Sequence, residues 1–213
     1  MKIGLIGKKV GMTRVYDAKG RDTAVTVIEA GGNLVVQEKT QEKEGYSALQ
    51  VGFDDQKPHR ISKAAVGHFK KSGCDCKKIL KEFRIEGISF DLADRTLKVS
   101  QFVEGDSVDV IGRSKGKGFQ GIMRKHNASG QGAAHGSMMH RRPGAIGMRS
   151  TPGRIWKNQL MPGHMGSERK TVQNLRVVQV RESENVILVA GAVPGPNGSY
   201  VLIRPAKKSS SSK

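Results

Sequence analysis

Acidic side chains are missing from a long part of this chain: no Asp or Glu occurs between Asp109 and Glu168. A solvated surface ordinarily mixes both signs, so a one-sign block of this length calls for counter-charge from outside the chain. The same absence weighs against an enzyme built on this block. A catalytic histidine wants a carboxylate or carbonyl to orient it, a metal site wants a second shell, and a dinucleotide fold wants an acidic residue for the ribose. Cysteine is almost as scarce. Cys74 and Cys76, one residue apart, exclude a disulfide framework, lack the second pair of a zinc finger, and fit ordinary free thiols in a reducing compartment. No run approaches the roughly 18 apolar residues of a membrane-spanning helix. The apolar part of the opening MKIGLIGKKVG is too short for a signal-peptide core. A cytoplasmic protein with no membrane attachment and no metal or other cofactor is expected.

What is present is glycine and positive charge. The 27 glycines in 213 residues are nearly twice the ordinary share of about 7%. Lys and Arg number 37 against 19 Asp and Glu, a formal net charge of +18, which disfavours a compact free protein unless a polyanion compensates it. The excess is local. Residues 113–170 hold 12 basic side chains and one acidic, whereas residues 1–112 hold 19 and 16. Nucleic acid is the first candidate partner and an anionic membrane surface the second.

The flanks read as β-structure. Val25–Ile28, Leu34–Val36, Leu49–Val51, Lys78–Ile85, Ser107–Ile111, Thr171–Val180, Asn185–Ala190 and Tyr200–Ile203 are strand candidates bounded by turn residues. Many short strands of this kind suggest a barrel or a sandwich. Ile61–Lys71 has helical spacing, and Phe119–His126 is long enough to begin a helix. Residues 127–170 hold neither apolar period and are rich in Gly and Pro, yet Met138, Met139, Ile146, Ile155, Trp156, Leu160 and Met161 are apolar anchors that a solvating linker lacks. The segment reads as an extension that becomes ordered on a partner. The divisions are 1–112, the first part of a β-body with a small α/β insertion; 113–170, the extension; 171–206, strands completing the body; and 207–213, a disordered tail.

Gly116-Lys-Gly-Phe-Gln-Gly121 is a literal G-x-G-x-x-G, but about 20 residues on, where a dinucleotide fold needs a carboxylate, stands Met138-Met-His-Arg-Arg142. These glycines better serve close approach of backbone amides to phosphates, with Lys115 and Lys117 neutralising them. His126, His135, His140 and His164 suit hydrogen bonding to, or stacking on, bases. Trp156, between Arg154 and Lys157, either packs against nucleic acid or anchors the extension's own fold. The cations are irregularly spaced, so they form neither a membrane-surface helix nor a single major-groove helix. An irregular Gly/Arg/Lys/His chain fits the uneven surface of folded RNA.

Several blocks are familiar in their order. Gly4-Leu-Ile-Gly-Lys-Lys-Val-Gly-Met-Thr-Arg14, Ser114-Lys-Gly-Lys-Gly-Phe119, His140-Arg-Arg-Pro-Gly-Ala-Ile-Gly147, Thr151-Pro-Gly-Arg154, Gly163-His-Met-Gly166 and Gly191-Ala-Val-Pro-Gly195 together resemble the bacterial large-subunit ribosomal protein 3 family across nearly the whole chain. The resemblance implies a mainly β fold: a closed six-stranded, Greek-key-like barrel body, a long irregular basic extension and one or two short helices. It implies a non-enzymatic constituent of the large ribosomal subunit. Such a protein binds 23S rRNA near its 3′ end, acts early in subunit assembly, and reaches with its extension towards the peptidyl transferase centre. Large-subunit ribosomal proteins 14, 17 and 19 are the implied neighbours. Some bacterial members carry a methylated glutamine just before the Thr-Pro-Gly; here that place is Ser150, so the modification is not expected. The candidate RNA-binding residues are Lys8, Lys9, Arg14, Lys115, Lys117, Arg124, Lys125, His126, His140, Arg141, Arg142, Arg149, Arg154, Trp156, Lys157, His164 and Arg169.

Overall fold

The computed structural model describes residues 3–17, 19–85 and 95–208. The chain forms two compact units: a body of residues 1–113 and 169–213, and an extension of residues 114–168. In chain order the elements are β1 (Leu5–Tyr16), β2 (Asp22–Glu29), β3 (Asn33–Lys39), α1 (Gln41–Glu44), β4 (Ala48–Asp55), α2 (Lys63–Ser72), β5 (Lys77–Arg84), β6 (Thr96–Leu97) and β7 (Ser107–Arg113) in the body. The extension holds β8 (Gly118–Gln120), α3 (Ile122–His126) and β9 (Gly163–Met165). The body resumes with β10 (Arg169–Arg181), β11 (Val186–Ala190) and β12 (Tyr200–Pro205). Lys207 and Lys208 form a turn, and the rest of the expected tail, 209–213, lies outside the described residues.

Six strands close into a ring in the order β1-β12-β7-β10-β11-β2, every neighbour antiparallel. The run β12-β7-β10-β11 has the 4-1-2-3 order of a Greek key, with β12 returning beside β7. Patterning alone left barrel and sandwich open; closure of the ring removes its edges and decides between them. Alternate residues point inward, and Leu5, Val108, Val110, Val177, Ile187, Val189, Val201 and Ile203 fill the interior. A second sheet, β5-β4-β3-β6, shares the same core through Leu49, Val51 and Phe53 of β4. From its other face Gln50 meets α2, with His68 Nε2 donating to Gln50 Oε1 at 2.7 Å, and Phe69 buried beneath the helix. α2 starts two residues later than the spacing predicts because Ser62 caps it, its Oγ accepting from the Ala65 N–H at 3.4 Å.

Polar groups inside the body are satisfied by the body. Asn33, fully buried, accepts from the Ile6 N–H at 2.9 Å and donates to the Ile6 and Ala30 carbonyls at 2.8 Å, tying β1 to the corner before β3. Asp109 on β7 is 1% exposed and accepts from the Asn174 N–H at 3.1 Å and from Arg204 Nη2 at 3.3 Å. Lys9 corrects the sequence reading, which had its charge facing RNA. It is 6% exposed, and its ammonium donates to the Val193 and Gly195 carbonyls at 3.2 and 3.3 Å. The bulge between Lys9 and Gly11 interrupts the alternation of β1 there. The Lys9 backbone joins the same segment, donating to Ser199 O at 2.9 Å and accepting from Gly198 N at 2.7 Å.

Where β4 meets β12, the Tyr200 hydroxyl donates to Asp54 Oδ2 at 2.5 Å, and Lys78 Nζ lies 3.6 Å from the same oxygen and 5.2 Å from the Tyr200 ring centroid. The Tyr200 hydrogen bond, aided by Lys78 and Lys8 and opposed by partial burial, holds the Asp54 carboxyl below its ordinary value of 3.8. Asp54 takes a left-handed φ of 61°, a conformation Asn also tolerates.

The extension has a regular base and an irregular remainder. Ser114 N donates to Glu168 O at 2.8 Å and Lys117 N to Met165 O at 2.9 Å. Gly118, Phe119 and Gln120 then pair with Met165, His164 and Gly163. At Gly166, φ is +75° and a Cβ would collide with the Lys115 carbonyl, so only glycine fits this crossing. Past β8 the chain makes the five-residue α3, and His126 Nε2 donates to Met161 O at 3.1 Å to close the base. Between them backbone bonds are sparse: a turn closes from Arg142 N to Met139 O at 3.0 Å, and Gln131 N reaches His140 O, nine residues along the chain, at 2.9 Å.

Two outcomes follow for the body. Lys9→Met keeps the bulk and strands two buried carbonyls, so it should destabilise the protein by about 2 kcal/mol, measured by thermal unfolding. Unaltered thermal unfolding would contradict a structural role for the buried ammonium. Because the folded pKa of Asp54 is depressed, its contribution to stability is present above pH 3.8 and is lost as pH falls through the lower folded value. Asp54→Asn should therefore flatten the acid limb of stability against pH, measured by urea unfolding between about pH 2 and 5.

Candidate nucleic-acid interface

The extension assembles charge without neutralising it. Of its ionisable Lys, Arg, Asp and Glu side chains, nine are basic and one, Glu168, is acidic. Lys115, Lys117, Arg124, Arg141, Arg142, Arg149, Arg154 and Lys157 are exposed and Lys125 is half-buried. Among the described residues none of the nine takes part in an ion pair. The nearest polar contact is weak: Arg124 Nη1 reaches Gln120 Oε1 at 3.4 Å. Like charges held this way repel one another, and the repulsion is relieved only by an external anion.

The backbone explains how so many cations stay outward. Asn127, His135, His140, Asn158 and Ser167 all take left-handed φ between 44° and 64°, turning the chain repeatedly so that no helix or strand forms a hydrophobic face between Asn127 and Pro162. Gln159 N closes a turn on Trp156 O at 3.3 Å. Trp156 itself is 56% exposed, so it is no core residue of the ring. Of the apolar anchors expected here, Met138 is 85% exposed and Met139, Ile146, Ile155 and Leu160 are exposed too, whereas Met161 is half-buried; Met148, at 74%, and Phe119 of β8, at 75%, are also outward. Large apolar side chains left in water beside cations suit base stacking and apolar contact with nucleic acid.

The other candidates fall in different places. His140 and His164 are exposed on the extension, whereas the His126 ring is half-buried at its base. Arg169 is exposed at the start of β10, directly opposite Arg113 of β7. Arg14 is exposed on the β1–β2 hairpin, and Lys8 is half-buried near the Asp54 carboxylate. Phe119 was not among the candidates; its place between Gly118 and Gln120 of a G-x-G-x-x-G, on a three-residue strand, is the signal for an unpacked aromatic ring.

The glycine motif does not form a dinucleotide turn. Gly118–Gln120 is itself strand β8, and the helix that follows has five residues, whereas the fingerprint places its glycines in the turn between a strand and a full helix. Among the described residues no three His, Cys, Asp or Glu side chains gather as a metal site, and no helix is long and apolar enough to cross a membrane.

Comparison with known proteins converges on one family. The family model described as Ribosomal protein L3 matches residues 63–186, which take in α2, the whole extension and the start of β11. The large ribosomal subunit protein uL3 of Akkermansia muciniphila is 58% identical over 210 residues, covering 98% of this chain and all of that protein. Its counterparts in Thioalkalivibrio sulfidiphilus and Syntrophotalea carbinolica are 50% and 47% identical over 211 and 209 residues, each covering 98% of this chain and 99% and 100% of theirs. Identity of that extent spans the ring, the second sheet and the cationic extension alike, and this chain belongs to the ribosomal protein L3 family.

Proposed function

We propose that this chain is a non-enzymatic structural constituent of the large ribosomal subunit that binds 23S rRNA through its extension. The observation that carries the reading is the set of nine outward cations on residues 114–168, none of them ion-paired among the described residues. Phosphate neutralisation supplies the affinity, and the fit of an irregular chain to folded RNA supplies the specificity. Lys115, Lys117, Arg124 and Lys125 meet phosphates at the base. Arg141, Arg142, Arg149, Arg154 and Lys157 do so beyond it, with His140, His164 and Trp156 against bases and Arg14 and Arg169 contributing from the body.

The family resemblance extends the proposal. The site lies near the 3′ end of 23S rRNA, binding occurs early enough to nucleate subunit assembly in the cytoplasm, and the extension points towards the peptidyl transferase centre. Large-subunit ribosomal proteins 14, 17 and 19 are the neighbours. No step in this role needs a cofactor or a reacting side chain: the chain contributes charge, shape and a stable body.

Replacing residues 128–160 with a short Gly/Ser linker tests the reading while keeping β8, α3, β9 and the His126–Met161 contact. The body should unfold as cooperatively as before, because closing a loop depends only weakly on its length. Five cations are lost, so the plot of log K against log salt for a 23S rRNA transcript should become shallower by about 4. An unchanged slope would show that these residues do not meet phosphates.

A further inference from the structure

The body carries a second stretch without acid. Between Asp55 and Asp75 there is no Asp or Glu, whereas Lys57, Arg60, Lys63, Lys70 and Lys71 fall there. α2 turns part of this run into a surface. Its exposed positions are 63, 64, 67, 70 and 71, which recur at the spacing of one helical face. Phe69, buried, and His68, bonded to Gln50, mark the opposite face on the second sheet. The outer face is thus three lysines around Ala64 and Gly67, with Lys63 and Lys70 about 10 Å apart along the axis. Among the described residues none of the three lysines is ion-paired.

The fold accounts for the rest of α2 but not for this face. Ser62 caps the helix, Gly73 ends it with φ 66°, and Phe69 anchors it. Lys70 and Lys71 in the last turn suit the helix dipole; Lys63 in the first turn opposes it. Gly67 is a poor residue for a helix interior. It has no left-handed φ, and a Cβ placed there would meet nothing within 4 Å. Neither backbone geometry nor internal packing calls for glycine.

We propose that this face of α2 is a second RNA-docking surface, separate in sequence from the extension. A phosphodiester backbone lies close against Ala64 and Gly67, and Lys63, Lys70 and Lys71 neutralise its phosphates. The inference rests on the RNA-binding reading above and adds a contact that the candidate residues did not include. A membrane surface fits less well, because the one large aromatic side chain of α2, Phe69, is buried and the exposed face offers only Ala64 and Gly67 between its lysines, with no bulky apolar group to enter a bilayer.

The test uses the full chain and a 23S rRNA transcript, with binding measured across a salt series. Lys63→Gln/Lys70→Gln/Lys71→Gln should make the log–log slope shallower by about 2 to 3. Gly67→Leu keeps every charge and should still make it shallower by at least about 1, since its side chain holds the backbone away. Its melting temperature should hold or rise by about 2–4 °C, because leucine favours the helix. The linker replacement of 128–160 is the comparator. A wild-type slope in the triple variant, with a shallower slope in the comparator, overturns the α2 surface alone and is the result an acidic protein partner at α2 would give. Wild-type slopes in both overturn RNA binding itself.

Discussion

Residues 113 and 169 are far apart in the chain and directly opposite one another in the ladder between β7 and β10. That pairing lets the protein carry a segment with no core of its own. Both strands are committed to the ring by what they bury: Val108 and Val110 from β7, and Val177 from β10. The ends of the extension are therefore held together by hydrophobic burial elsewhere, and the entropy of closing so long a loop grows only slowly with length. The short β8–β9 ladder and the Gly166 crossing continue this constraint within the extension, and the irregular chain begins beyond them.

The two units satisfy their chemistry in opposite ways. In the body, buried polar groups find partners inside the fold: Asn33 on Ile6 and Ala30, Lys9 on Val193 and Gly195, Asp109 on Asn174 and Arg204. Glu82 illustrates the same economy at the surface. Its carboxyl is held low by the Lys39 ammonium at 2.7 Å and the Tyr46 hydroxyl at 2.7 Å. The extension leaves cations without anions and the Phe119 and Trp156 rings mostly in water. Surface of that kind is costly to keep in water and makes physical sense when RNA covers it.

Much of this organisation was legible in the sequence because it depends on local pattern. β-branched runs such as Val25–Ile28 and Ser107–Ile111 became ring strands, and Arg113, Arg169 and Lys170, at the edges of the acid-free block, fall in the β7–β10 ladder. What was not legible depends on distant partners. Lys9 reads like Lys8 beside it; its burial is decided by two carbonyls at residues 193 and 195. β1 runs to Tyr16 across glycines that locally disfavour a strand, because β2 pairs with it along that length. Met138 and Met139 read as anchors yet are exposed, since hydrophobicity says nothing about whether a neighbour is there to pack against. The α2 face escaped notice because its cations interleave with core residues, and only the helix period separates the two.

Amide hydrogen exchange on the full chain, free and bound to a 23S rRNA transcript, tests the central claim most directly. The account predicts that amides of residues 128–160 exchange within seconds in the free protein and become protected on RNA. The ladder amides of β7 and β10 should be protected throughout. Protection of 128–160 in the free protein equal to that of the ladder, or no gain of protection on RNA, would contradict it.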